Sequence, residues 1–230
     1  MMIRPRHLAT ALTATIFIGT ALQAAPAPTP GLHIRGTIQL IEGKVLSIST
    51  AAGPIRVQLP AKPFIVAVLP SDRAHIKDGT FLGIASVPGL GGTQRAREVV
   101  VFPEAGRGTG EGSYAWDLPG GGTAGHSKMT NGTAMHSKMT NGTAMHSKMT
   151  NGTAHVSSTD ALTLQYKSGT GTVLQNITLP AGIPIVTFAP GQMSLLKPGA
   201  HVFIAGHHQT NGMTVADRAL VGKNGLVPPM

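Results

Sequence analysis

Cysteine is absent from the chain, and charged and aromatic side chains are scarce, at 12% and 4% of the residues. Without cysteine the chain has no disulfides, no thiolate nucleophile and no cysteine-ligated zinc. Globular proteins usually contain about a quarter charged residues, so this low fraction disfavours a charged helical bundle. The 30 glycines and 17 prolines favour strands joined by tight turns, and the composition therefore predicts an all-β protein.

Acidic residues are also few: nine Asp and Glu stand against 18 Lys and Arg, which gives a net charge of +9. The sequence has no Gly-x-Ser-x-Gly elbow, no His-Glu-x-x-His helix and no convincing carboxylate pair, so we expect no enzyme and no catalytic residues. Nucleic-acid binding by a small barrel depends on aromatic stacking platforms, which this composition hardly provides, so we expect no nucleic-acid partner. The basic charge instead favours anionic envelope surfaces, or serves solubility.

The N-terminus has the three parts of a secretory signal peptide. Arg4 and Arg6 form a basic head, an apolar run of about 15 residues follows, and small residues come next. We predict a signal peptide over 1–24, cleaved after Ala24, with cleavage after Ala21 as the alternative. The run is short for a membrane span, which needs about 20 residues, and no later run approaches that length. The mature protein is therefore expected to be periplasmic or secreted, with no membrane span after processing.

The two halves of the chain are similar to each other. Residues 59–70 align with 179–190, and the same offset continues without a gap into the following strands. Self-similarity at one constant shift is typical of internal duplication. We predict two modules, over 32–102 and 150–223, followed by a tail at 224–230.

Within each module the hydrophobic pattern has a period of two. Ile55, Val57 and Leu59 alternate with Arg56 and Gln58, which predicts a strand with one buried face. Turn residues separate about five such strands in each module. This count and spacing predict two small OB-like five-stranded barrels, and a half-open sandwich is the alternative.

Several distinctive segments resemble a known family. They are the stretch 101–112 with Trp116-Asp-Leu118, the Met-Thr-Asn-Gly-Thr motif, the stretch 184–191 and the ending 221–230. In these segments, and over nearly the whole mature chain, the sequence is similar to exported bacterial β-proteins built on a domain of unknown function. The resemblance implies an envelope β-protein with no established activity. This chain differs in repeating its Met-Thr-Asn segment.

That repeat lies in a glycine-rich linker predicted over 103–149. Three nearly identical decapeptides follow one another at 122–131, 132–141 and 142–151, and each holds a His and a Met three residues apart. Imidazole and thioether groups are neutral ligands suited to Cu(I) or Ag(I), and a thioether persists in an oxidising compartment. The candidate metal ligands are His126, Met129, Met135, His136, Met139, Met145, His146 and Met149.

Two other interpretations of the repeat stay open. A lysine inside every copy disfavours a cation site, so the repeat is also compatible with a solvated linker whose His and Met content was multiplied by copying. Alternatively, the Asn-Gly steps form hairpin turns and the copies add strands. Because Gly, Thr, Asn and Ser fill about half of each copy and no apolar stripe is present, we expect a mobile, solvent-exposed segment.

Two further groups of polar residues are weaker candidates. The linker contains four charged residues and the only tryptophan of the chain: Glu104, Arg107, Glu111, Trp116 and Asp117. They either line a ligand groove, or Trp116 fills the seam between the barrels and the charged side chains stay in solvent. A strand near the C-terminus carries histidines that offer a second place for a metal: His201, His207 and His208.

Together these features predict an exported, non-enzymatic binding or scaffold protein of the cell envelope. Its partner is expected to be an envelope component, and no bound cofactor is expected. The alternative function is binding or buffering of Cu(I) or Ag(I) through the His-x-x-Met repeats.

Overall fold

The computed structural model describes residues 31–118, 127–135, 160–169 and 171–230. These residues form thirteen β-strands and five short 3-10 turns and contain no α-helix, which confirms the all-β prediction. The strands are β1 (Leu32–Glu42), β2 (Val45–Thr50), β3 (Gly53–Gln58), β4 (Ile65–Pro70), β5 (Phe81–Pro88), β6 (Gln94–Val101), β7 (Gly112–Ala115), β8 (Lys128–Met135), β9 (Ala161–Ser168), β10 (Gly171–Thr178), β11 (Ile185–Pro190), β12 (His201–His208) and β13 (Thr214–Gly222).

Five strands from the two ends of the described chain pair in a closed cycle, which we call ring 1. The order around it is β1, β2, β3, β13, β12 and back to β1. The β3–β13 contact is parallel and the other four are antiparallel. A closed β-barrel is thus part of the fold.

Five strands from the middle of the chain pair in the same cyclic manner, and we call them ring 2. The order is β8, β9, β10, β6, β5 and back to β8, with β7 paired to β8 outside the cycle. Each ring therefore draws on both of the modules predicted from the sequence. The stretch 32–102 supplies β1–β3 to ring 1 and β5–β6 to ring 2. The stretch 150–223 supplies β9 and β10 to ring 2 and β12 and β13 to ring 1, and β8 comes from the predicted linker over 103–149.

The strand registers of the two rings correspond at one constant offset. In ring 1, Val57 of β3 lies opposite Thr214 of β13. In ring 2, Ile177 of β10 lies opposite Gln94 of β6, so each residue of this pair is 120 positions from its counterpart in the first. The β-bulges follow the same rule: Arg97 is the extra residue of β6 opposite Ala85 and Ser86, and Asp217 is the extra residue of β13 opposite Ala205 and Gly206.

The remaining strands, β4 and β11, join the two rings. β4 runs parallel to β13 of ring 1, β11 runs parallel to β6 of ring 2, and the two pair antiparallel with each other. At the middle of that pairing Val68 lies opposite Phe188, which again are 120 positions apart. The corresponding residues of the two halves thus meet where β4 and β11 cross.

Alternating side chains fill separate apolar interiors. In ring 1 the buried residues include Ile38, Leu46, Ile48, Val57 and Ile204. In ring 2 they include Leu82, Ile84, Val99, Leu164 and Ile177. A third group, which we call the seam cluster, packs on the opposite faces of strands from both rings and consists of Val68, Val100, Val186, Phe203, Leu220 and Met230. Burial of the apolar faces of these strands is the main force that holds the fold together.

The first decapeptide copy differs from our expectation of an exposed, mobile linker. Its Met-Thr-Asn segment lies within β8, where Met129, Thr130 and Asn131 are buried. Gly132 allows the close approach of the neighbouring strand, because a Cβ there would overlap the carbonyl oxygen of Gln165. The prediction failed because the segment gains its apolar and hydrogen-bonding contacts from β5 and β7, which a local pattern does not reveal.

Candidate functional site

A cleft of about 250 Å³ opens at one end of ring 2. Most of its lining is polar, and two buried aromatic rings, those of Phe81 and Tyr166, contribute the apolar part. The other lining residues are Arg107, Gly108, Glu111, Thr133, Gln165, Lys167 and Thr172. The strands of ring 2 therefore provide the aromatic and hydroxyl groups, and the segment after β6 provides Arg107 and Glu111.

The segment after β6 begins with a 3-10 turn at Glu104–Gly106. It then turns sharply at Gly108 and Gly110, whose φ angles of +83° and +58° suit glycine. The turn brings Arg107 over the end of ring 2, where Nη2 donates to the Gly79 carbonyl oxygen at 2.8 Å. Gly108 and Gly110 thus shape one rim of the cleft.

Arg107 is held in place by a carboxylate. Its Nε and Nη2 donate to the two carboxylate oxygens of Glu104, at 2.5 and 2.8 Å, and the hydrogen bond holds the pKa of Glu104 below its ordinary value. The fork geometry leaves Nη1 with one long contact, at 3.5 Å to Thr133 Oγ1. A bond of that length is weak, so Nη1 keeps donor capacity on the cleft side.

The hairpin of β9 and β10 forms the opposite rim. The backbone N–H of Lys167 donates to Glu111 Oε1 at 3.1 Å, which ties the hairpin to the segment after β6. The Lys167 side chain is exposed, and its ammonium has no hydrogen-bond partner among the described residues. The cleft therefore presents two cations, Arg107 and Lys167, and one carboxylate.

The corresponding end of ring 1 is built differently. Thr37 faces His201 across β1 and β12 in the same register in which Thr133 faces Phe81 across β8 and β5. In ring 1, however, Thr37 Oγ1 and His201 Nδ1 are hydrogen-bonded at 3.0 Å. After β13 the chain forms a 3-10 turn at Lys223–Gly225, Leu226 then packs against the seam cluster, and Met230 is part of that cluster.

A second polar group lies beside the seam cluster and contains a buried carboxyl. Glu98 of β6 is 2% exposed, and its Oε1 has no partner among the described residues. Burial raises the pKa of Glu98 to about 8, and the nearby Arg35 guanidinium offsets only part of that rise. Glu98 therefore carries its proton at neutral pH.

Arg35 links this region to the segment that follows β7. Its Nη1 and Nη2 donate to Asp117 at 2.9 and 3.2 Å, its Nε donates to the Met230 carbonyl oxygen, and its guanidinium lies 5.0 Å from the centre of the Phe203 ring. Trp116 packs with its ring centre 4.5 Å from that of His33. Trp116 thus fills the region next to Phe203, as one of the two sequence interpretations proposed, and its buried Nε1 has no partner among the described residues.

Of the predicted metal ligands, the structure describes two. Met129 is 5% exposed and lies in β8, and Met135 at the end of β8 is 43% exposed. The remaining candidates lie outside the described residues: His126, His136, Met139, Met145, His146 and Met149. Because Met129 is buried, it is not available to a metal ion at the surface, and a metal site in the repeat needs ligands from other positions.

The C-terminal histidines do not converge on one point. His201 contacts Thr37, His207 Nδ1 lies 2.9 Å from Asp217 Oδ1, and His208 Nδ1 lies 3.1 Å from Thr214 Oγ1. In the part of the chain that the structure describes, no group of three or more His, Asp or Glu side chains is arranged to hold a metal ion.

Sequence reasoning identified Arg107 and Glu111 but missed Thr133, Lys167 and Glu98. Thr133 and Lys167 become neighbours of Arg107 only through the pairing of β8 with β5 and β9. Glu98 carried a visible signal, because an acidic residue directly precedes the apolar run Val99–Val101 where the other half has Arg218.

Comparison of the chain with protein-family models, with curated proteins and with solved structures finds no match. Within 31–118, 127–135, 160–169 and 171–230 no helix has the length and apolar character to cross a membrane.

Proposed function

We propose that this chain is an exported, non-enzymatic binding protein of the cell envelope, with its ligand site in the cleft of ring 2. The observation that carries the proposal is the difference between the two rings at equivalent ends. In ring 2 the segment after β6 covers the end and leaves an open cleft with unsatisfied donors. In ring 1 the side chains at that end bond to each other.

The scaffold of this binding protein is, we propose, an internal duplication of an OB-like unit. The constant offset of 120 in the β3–β13 and β10–β6 registers supports it, and so do the matching bulges. A duplicated barrel supplies two similar frames, of which one is free to acquire a site. Export is supported by the sequence at 1–24, which lies outside the described residues.

Binding rather than catalysis suits the chemistry of the cleft. Arg107 is bonded to Glu104 and Gly79, and Glu111 accepts a bond from the Lys167 amide, so their arrangement serves positioning. General acid–base catalysis needs a group with a pKa near the working pH placed at the reacting atoms. Glu98, whose pKa of about 8 is close to such a pH, lies beside the seam cluster and does not line the cleft.

The test is amide NMR of the mature protein mixed with the low-molecular-weight fraction of an envelope extract from the native host. We expect chemical-shift changes at Gly108, Thr133 and Lys167, and none at Thr37 or His201. Thr172→Trp, which places a large side chain in the cleft, should abolish them. Its matched control is Ala52→Trp at the equivalent hairpin position of ring 1, where both native residues are exposed. Changes confined to ring 1, or no changes at all, would contradict the proposal.

A second candidate function is Cu(I) or Ag(I) binding by the decapeptides. The regular spacing of His and Met in three successive copies supports it. Burial of Met129 removes one thioether from the first copy, so binding would depend on the histidines and on the later methionines.

A further inference from the structure

We propose that the cleft of ring 2 binds a small hydroxyl-bearing anion of the sugar-acid class. This inference rests on the proposed function, because it names the ligand of the same site. It follows from the charge, the hydrogen-bonding groups and the size of the cleft.

The free hydrogen-bonding positions of the rim favour an anion. Arg107 and Lys167 line the cleft with two positive charges, and the two carboxylates that offset them, Glu104 and Glu111, are already engaged by the Arg107 side chain and by the Lys167 amide. Glu111 Oε1 already accepts the backbone N–H of Lys167, whereas the Lys167 ammonium and Arg107 Nη1 retain free donor positions. A carboxylate between these cations gains charge-assisted hydrogen bonds, which are stronger than neutral ones.

The rest of the lining suits a polyhydroxylated ring. Thr133, Thr172 and Gln165 offer hydroxyl and amide groups that both donate and accept hydrogen bonds. Phe81 and Tyr166, which are 3% and 8% exposed, add only a small apolar edge, which the C–H groups of a single sugar ring can contact. A simple inorganic anion would use the cations but none of these groups.

The size of the cleft limits the ligand to one ring. Sites for drug-sized molecules measure about 300–1,000 Å³, and this cleft has about 250 Å³. A monosaccharide acid fits that volume, whereas an oligosaccharide would extend beyond the described lining.

Isothermal titration of the full mature protein tests the ligand class with D-glucuronate, D-glucose and inorganic phosphate as probes. We expect saturable binding of glucuronate and at least about tenfold weaker binding of glucose, because loss of a charged hydrogen bond costs about that factor. Phosphate should compete weakly, because it leaves the hydroxyl-binding groups unused. Equal affinity for glucose, or phosphate binding as tight as that of glucuronate, would overturn the assignment.

Lys167→Met removes the charge without disturbing the fold, because Lys167 is exposed and methionine has a side chain of similar length. It should weaken glucuronate binding about tenfold and leave glucose binding unchanged. Lys197→Met, which removes the same charge from an exposed position before β12 of ring 1, is the matched control and should stay within twofold of the parent. Equal effects of the two variants would overturn the proposal. If glucuronate fails to bind while the envelope extract still shifts the cleft resonances, the ligand class is wrong and the binding site stands.

Discussion

Ring 1 and ring 2 share their strand registers but differ in the residues that face away from their interiors. Glu98 in ring 2 and Arg218 in ring 1 lie opposite Ala85 and Ala205 at equivalent positions, 120 residues apart. Glu98 is buried and its Oε1 has no partner in the part of the chain that the structure describes, whereas Arg218 is exposed. The interiors of both rings are filled by alternating apolar residues, whereas the outward positions differ between a seam, a closed end and a cleft.

The largest loss of stability that we expect comes from substitutions at two equivalent glycines, one in each ring. Gly36 in β1 and Gly132 in β8 are equivalent, and a Cβ at either position would overlap a carbonyl oxygen, that of Ser49 or of Gln165. Because backbone has to move to relieve such an overlap, Gly36→Ala should lower the free energy of unfolding by about 4 kcal/mol, measured by urea denaturation.

Gly132→Ala should cost clearly less than Gly36→Ala. The six residues Met129–Ala134 recur at 139–144 and 149–154, so the sequence offers two further segments for the place of β8. Their loop-closure costs differ by less than about 0.5 kcal/mol, since lengthening one connection shortens the other. Replacing Gly132, Gly142 and Gly152 together by alanine should lower the free energy of unfolding as much as Gly36→Ala does. A single Gly132→Ala variant as unstable as the triple variant would contradict this explanation.

The second prediction concerns Glu98 and Arg218. Because the pKa of Glu98 is raised from its ordinary 4.5 to about 8 in the folded protein, the unfolded chain releases this proton first as pH rises. Glu98 therefore lowers stability progressively between about pH 4.5 and pH 8, and the loss is complete above the folded pKa. Between pH 5 and pH 9 the parent should lose roughly 4 kcal/mol more than Glu98→Gln, measured by denaturation at each pH.

The matched variant for that experiment is Arg218→Gln at the equivalent exposed position. A surface substitution of this kind should change stability by less than about 0.5 kcal/mol and should leave the pH profile of the parent intact. A parent and a Glu98→Gln variant with parallel pH profiles would show that Glu98 ionises as it does in the unfolded chain.

The smallest expected effect on stability is that of the decapeptide histidines. If the repeats bind Ag(I), replacing His126, His136 and His146 by alanine should abolish the binding seen in a silver titration of the parent. The binding should weaken below about pH 6, where imidazoles protonate. Neither ring should change its melting temperature. Unaltered affinity in the triple variant would place the metal elsewhere, and no binding by the parent would remove the function.

The alternating strands and the offset of 120 could be predicted from sequence, because both depend on local pattern. The match of 59–70 with 179–190 correctly aligned β4 with β11, whose bounds are equivalent. The exchange of strands between the halves was not predictable, because a period of two shows which face is buried but not which strand is the neighbour. For the same reason the burial of Met129 and the meeting of Arg107 with Thr133 needed the pairing of β8 with β5 and β7.

Along the chain, the strands of ring 2 lie between the first and the last strands of ring 1, and this arrangement affects the order of folding. The strands of ring 2 come from one continuous stretch that ends at Thr178, whereas ring 1 joins residues as far apart as Thr37 and His201, 164 positions along the chain. Contacts between such distant residues form slowly, since a large loop has to close first. Because the chain is synthesised from its N-terminus, ring 2 can close before β12 and β13 are available to pair with β1–β3. We therefore expect ring 2 to be the folding nucleus, with ring 1 closing only after the last strand has left the ribosome.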